Sequence, residues 1–165
     1  MLAGLYDDVH AALHTAGVRY VVVGGTAVVL QGYPRMTVDL DLVVDLTAAS
    51  ALAAVEALQG VGLRPRLPVA AEQFADPVIR REWVEQRNLM VFSFFDPDDS
   101  LREVDLFATE PLPFQDLHEQ ADVVLLGGVP VRVASKEHLL TMKRAAGRPR
   151  DLGDIAALEA MEEGR

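Results

Sequence analysis

In the stretch from Arg35 to Val43, apolar and polar side chains alternate. Met36, Val38, Leu40 and Leu42 fall on one side, and Arg35, Thr37, Asp39 and Asp41 on the other. A period of two predicts a half-buried strand over residues 36–44. Upstream, a β-branched run over 18–23 predicts a first strand, stopped by Gly24-Gly25-Thr26 and followed by a short helix over 26–31. Helical spacing predicts a helix over 2–15 and a second one from the Thr47 cap to Gln59, ended by Gly60. Residues 64–88, broken by Pro65, Pro68 and Pro77, read as two short helices, the second at about 78–86. Strands follow over 88–95 and 101–108, then a hairpin of 121–126 with 129–133 turning at Gly127-Gly128. Ser135 caps a helix to Ala146, closed by Gly147 and Pro149, and Asp151 caps a last helix. The link between the strands over 88–95 and 101–108 is too short for a helical crossover, so the sheet is mixed.

The polar side of the 36–44 strand carries the candidate chemistry. Same-face side chains on a strand stand about 6.5–7 Å apart. Two carboxylates at that distance repel unless a cation or proton lies between them. Oxygen-lined sites of this kind suit Mg²⁺, which binds through one or two carboxylates plus substrate phosphates. Aspartate is depleted in strands, so Asp39 and Asp41 together need a reason; a solvated strand face is the plainer alternative. The strand–Gly24-Gly25-Thr26–helix arrangement offers backbone N–H groups and a helix N-terminus to a phosphate. It is also compatible with an ordinary tight turn.

Together these motifs resemble the signature of the nucleotidyltransferase fold superfamily, the palm-like domain shared with DNA polymerase β. That signature is an apolar residue, a glycine pair and, roughly ten residues on, Asp-x-Asp flanked by apolar residues; here these are Val23, Gly24-Gly25-Thr26, Asp39 and Asp41. The longer run Gly24-Gly25-Thr26-Ala27, then Gly32-Tyr-Pro-Arg-Met-Thr37-Val-Asp39-Leu-Asp41, is similar to the AbiEii-like branch of small bacterial proteins, which includes toxins of toxin–antitoxin pairs. The resemblance implies an α/β (α+β) fold, a mixed sheet flanked by helices with a helical C-terminus. It implies a third carboxylate on a later strand, matched by Asp105 in Arg102-Glu-Val-Asp-Leu-Phe107. It also implies two Mg²⁺ (or Mn²⁺) ions held by Asp39, Asp41 and Asp105, with an NTP such as ATP as substrate. The nucleotide would be held at Gly24, Gly25 and Thr26, with Arg35, Thr37 and Asp154 beside it. Lys143 would neutralise transition-state charge. A nucleoside monophosphate would pass to an acceptor hydroxyl on tRNA or protein, and an antitoxin would be the partner. A small-molecule acceptor of aminoglycoside type, and a non-catalytic nucleotide-binding module of the same fold, stay open.

The segment Lys143 to Ile155 matches more weakly. Asp151 and Asp154 are equally explained as helix-start acids, and the cations of 143–150 as a helix end meeting solvent. Asp96-Pro97-Asp98-Asp99 reads as a turn.

Composition limits the picture further. A chain of 165 residues, 50% hydrophobic, predicts one domain with a real core over 1–165. No apolar run is long enough for a membrane span, and the acidic N-terminal helix does not read as a signal peptide, so a cytoplasmic protein without membrane contact is expected. There are no cysteines, and the four histidines show no zinc spacing. A formal net charge of −10 disfavours non-specific nucleic-acid binding. A polynucleotide would need a local patch, for which Arg64, Arg66, Arg80, Arg81, Arg87 and the 143–150 cations are candidates.

Overall fold

In this computed structural model residues 4–164 are described; the expected helix start at Leu2 lies outside the described residues. The elements run α1 (Asp7–Thr15), β1 (Tyr20–Val23), α2 (Gly24–Leu30), β2 (Leu40–Val44), α3 (Ala48–Gly60), β3 (Arg64–Pro65), a 3-10 turn (Ala71–Ala75), α4 (Pro77–Arg87), β4 (Val91–Phe95), β5 (Glu103–Phe107), α5 (Phe114–Glu119), β6 (Asp122–Leu126), β7 (Val129–Val133), α6 (Lys136–Ala146) and α7 (Asp151–Glu163). All seven strands join one sheet in the order β3-β4-β5-β2-β1-β7-β6. It is mixed: β2 is parallel to β5 and β1 to β7, while the other pairs are antiparallel. With its flanking helices and α6–α7 at the C-terminus, this is the expected architecture.

Local chemistry accounts for most boundaries. Asp76 caps α4 by accepting from Val78 N (2.8 Å), Pro77 occupies its first turn, and Asn88 ends it in the left-handed region at φ 50°. Ser135 caps α6 through His138 N (3.2 Å), and Gly147 closes it at φ 61°. Gly127 and Gly128, at φ 55° and 81°, supply the two positive φ angles of a tight hairpin turn. The core gathers β1, β2 and β5 with Phe74, Trp83, Phe92 and Phe94; Trp83 stacks on Phe92 at 5.1 Å, and Phe94 meets it edge-on at 5.3 Å.

Four expectations need correction. The strand predicted over 36–44 begins only at Leu40, so Asp39 precedes it, and Met36 is 89% exposed. The alternation is real, but residues 36–39 have no ladder partner: Val38 O accepts a hydrogen bond from the Tyr6 hydroxyl rather than from β5. The short helix begins at Gly24 rather than Thr26, because the chain turns at Gly24 itself (φ 66°). Within 64–88 the first segment is the edge strand β3 plus a 3-10 turn; Pro65 is tolerated there because an edge strand can lack one N–H. Helix α5 was not legible, being a six-residue turn whose burial rests on Phe114 and Leu117. Asp151 does not cap α7: it is the helix's first residue, and its carboxylate is buried in ion pairs.

Candidate functional site

Two strands running side by side bring the carboxylates together. Asp41 pairs in register with Asp105 across the parallel β2–β5 ladder, and Asp105 in turn faces Ser93 on β4. Neighbouring strands are about 4.7–4.9 Å apart, so Asp41 and Asp105 are held closer than two acids at i and i+2 on one strand. Burial first, then the charges of Asp105 and Asp39, push Asp41 up to about 7, against the pull of Arg148 and Lys143. Burial also raises Asp105, with Glu103 and Asp39 adding to it and the facing Ser93 hydroxyl opposing it. Asp39 is raised too, by burial and by Glu103, while Arg150 and Arg66 oppose. Three acids in mutual range, each wanting a proton, are what a cation would relieve.

The glycine turn and the acids are built into one another. A Cβ on Gly24 would sit on the Asp41 carboxyl group, 2.8 Å from its carbon. A Cβ on Gly25 would lie 2.8 Å from Thr37 Oγ1 and 3.0 Å from Arg35 Cζ. The glycines therefore admit protein side chains: Asp41 over the first, Arg35 and Thr37 over the second. Thr26 is buried, and its hydroxyl donates to Asp39 O at 2.8 Å, so this proton anchors the acidic segment instead of facing outward.

The donor set suits a hard divalent ion. Oδ1 of Asp105 is buried with no hydrogen-bond partner, and carboxylate oxygen is the donor type such an ion prefers. Among the described residues, however, no three carboxylate or imidazole side chains form a ready-made cation cage. Asp39, ahead of β2 and exposed, is in electrostatic range of the Asp41–Asp105 pair but does not close a three-residue cluster with it. A small cation would be held by the pair, with Asp39 and ligand oxygens completing its shell.

The family described as nucleotidyl transferase AbiEii toxin, type IV TA system, matches residues 9–164. The chain belongs to that family. No curated protein matches the sequence.

In this AbiEii-family chain the C-terminal segment forms a buried ion network beside the acids. Lys143, 5% exposed, lies 2.8 Å from Asp154 and 3.5 Å from Asp151. Arg35 forks onto Asp154 at 2.9 and 3.0 Å, and its Nη1 donates to Met36 O at 2.7 Å. Arg148 forks onto Asp151 at 2.9 and 3.3 Å. Against its burial penalty, Arg148 and Lys143 hold Asp151 below the usual carboxylate range. Three cations thus pair with two anions, and Arg148 and Lys143 also act on Asp41. Asp154, expected beside the nucleotide, is the hub joining α6, α7 and the 31–39 loop. Lys143 is likewise tied down by two carboxylates.

Several contributors were not singled out from the sequence. Ser93 and Glu103 become visible only through strand register. Arg66 ion-pairs with Glu103 and stacks on Phe95 at 5.0 Å. The basic patch is smaller than expected. Arg66, Arg148 and Arg150 act on the acids, but Arg80 is buried, donating to Phe74 O and Leu46 O beyond the far end of β2.

Proposed function

We propose that this AbiEii-family chain is a metal-dependent nucleotidyltransferase that moves a nucleoside monophosphate from an NTP to an acceptor hydroxyl. The observation that carries the reading is the in-register Asp41–Asp105 pair, with its unpartnered Asp105 oxygen and its acids poised above their ordinary range. Asp41, Asp105 and Asp39 would hold Mg²⁺ or Mn²⁺, which when bound supplies charge neutralisation at the phosphates and a more nucleophilic oxygen. The chain's own residues do the rest. The Gly24-Gly25 turn lets Asp41 on one side and Arg35 with Thr37 on the other approach the backbone closely, which would set the metal-holding carboxylate and a cation side by side for the phosphates. Arg148 and Lys143, already in range of Asp41, oppose negative charge developing there. Arg35, fixed by Asp154, and Thr37 line the ground above Gly25.

The rim favours a polyanionic acceptor. Arg66 and Arg148, each ion-paired but with side chains 55% and 51% exposed, and exposed Arg150 lie in range of the acids. Such a rim attracts a tRNA phosphate backbone and repels a polycationic aminoglycoside. A protein acceptor is the second macromolecular reading. An antitoxin partner is supported by the family's type IV toxin–antitoxin description.

Incubation with each α-labelled NTP, Mn²⁺ and a cell extract tests this. Label should enter the RNA fraction with wild type and not with Asp41→Asn. Absence of label in every fraction refutes the transferase reading, and label in the protein or small-molecule fraction changes the acceptor.

A further inference from the structure

Between the Asp39-bearing segment and the strand carrying Asp105 lies a side chain that neither motif contains. Tyr6, just ahead of α1 and outside the matched residues 9–164, is 2% exposed. Its hydroxyl donates to Val38 O at 2.5 Å and accepts from Glu103 N at 3.1 Å. Glu103 O lies 3.0 Å from the same hydroxyl, as a second acceptor.

The place of this contact in the ladder is informative. The β2–β5 pairing runs in register from Leu40↔Val104 to Leu42↔Leu106. One step earlier Asp39 would face Glu103, and in a parallel ladder that step would be a direct bond from Glu103 N–H to Val38 C=O. The Tyr6 hydroxyl is inserted into that bond. A direct N–H···O contact is about 2.9 Å, whereas two bonds in relay hold the same atoms on the order of 4–5 Å apart. The strands therefore splay by one hydroxyl at the residue where Asp39 leaves the sheet, which is why β2 begins at Leu40 and why Asp39 does not close a three-residue cluster with the Asp41–Asp105 pair.

The hydroxyl is itself braced. Arg102, at the start of β5, lies over the Tyr6 ring at 5.7 Å. Its guanidinium binds Asp8 of α1 at 2.7 and 2.9 Å and Asp96 at 3.3 Å. Thr26 holds Asp39 O from the other side at 2.8 Å. The backbone on both sides of Asp39 is thus fixed by side-chain hydroxyls rather than by sheet pairing.

We propose that Tyr6 is a positioning residue for the cation site: its hydroxyl, relaying Glu103 N–H to Val38 C=O, sets how far Asp39 stands from the Asp41–Asp105 pair. The proposal rests on the metal-binding reading of those acids. Tyr6 does not touch a bound cation; it acts through the backbone of Val38 and Asp39. Removing the hydroxyl lets the ladder close by one step or frees the segment, and either moves Asp39.

Tyr6→Phe keeps the ring and its contact with Arg102. Mn²⁺ titration calorimetry on the full chain, with Tm measured in EDTA, supplies the readouts. Tyr6→Phe should bind Mn²⁺ at least ten-fold more weakly, the range seen when supports of metal ligands are lost, while its Tm in EDTA moves by only a few degrees. Asp39→Asn should weaken binding as well, and Tyr6→Phe should add nothing further in that background. Wild-type affinity in Tyr6→Phe overturns the proposal, and so does an equal loss with Asp39 already removed. Wild type failing to bind Mn²⁺ overturns the metal reading, and this inference with it. Hydrogen exchange on the wild type gives a test independent of any variant: the Glu103 amide should be protected without metal, and rapid exchange there overturns the relay.

Discussion

Replacing Asp41 by asparagine should make the metal-free protein more stable. Burial, with the charges of Asp105 and Asp39, pushes Asp41 up to about 7 in the fold, well above the ordinary 3.8 of a solvated aspartate. The folded value is the higher one, so the native state binds the proton more tightly than the unfolded chain. The group therefore costs stability as pH rises from about 4, and the full cost is reached above about 7. At roughly 1.4 kcal/mol per unit the cost is on the order of 4 kcal/mol at pH 8, and falls to about 2 kcal/mol at pH 5. Asparagine removes the charge but leaves an amide to be satisfied, a penalty of about 1–3 kcal/mol. The net gain expected at pH 8 is roughly 1–3 kcal/mol, or about 2–10 °C in Tm for a chain of this size. Scanning calorimetry of wild type and Asp41→Asn in EDTA at pH 8 and pH 5 checks it. The variant should melt higher at pH 8, with the advantage shrinking at pH 5. Added Mn²⁺ should raise the wild-type Tm and leave that of the variant nearly unmoved. A variant that melts lower than wild type at pH 8 in EDTA would refute the reasoning, since Asp41 would then be a structural residue and not a strained one.

Lys143→Ala should be costly for folding as well as for transfer. It removes the buried cation shared by Asp151 and Asp154; Arg148 and Arg35 still pair with them, so the cost should fall short of the roughly 3–5 kcal/mol of a fully broken buried pair, at about 2 kcal/mol. Urea unfolding measures it, and a loss below about 1 kcal/mol would mean the network is not formed in solution. His10 should make the fold acid-sensitive: burial lowers it to about 4 from 6.5, against the pull of Asp7 and Asp8, and its Nδ1 lies 2.8 Å from the Tyr20 hydroxyl. A folded value below the unfolded one means that stability is lost as pH falls from about 6.5 through 4, by up to about 3 kcal/mol. Unfolding curves in the Asp41→Asn background, where the opposing titration is absent, should show this loss, and His10→Gln should flatten it.

Much of the acidic site was legible because it is local. Strand, glycine pair, helix and Asp-x-Asp are short-range patterns, and each carries its geometry with it: Gly24 at positive φ beneath Asp41, and apolar Leu40 and Leu42 buried on either side of it. Asp105 was legible as a strand acid in an apolar frame. Its partnership with Asp41 was not, because register between strands so far apart in the chain is chosen by packing of the whole sheet.

The sequence by itself determined the mixed α/β class, the hairpin and the capped ends of α3, α4 and α6, and it singled out the acids and glycines proposed as the site, since periodicity and turn residues act within a few positions of one another. Only the tertiary structure decided which charges face each other. Lys143, Asp154 and Arg35 meet across more than a hundred residues, so capping and solvation explained them equally well until α6, α7 and the 31–39 loop were brought together. The same holds for β2. Alternation predicted a strand from residue 36, but a strand needs a partner as well as a pattern, and Tyr6, more than thirty residues upstream, occupies the place where that partner would bond.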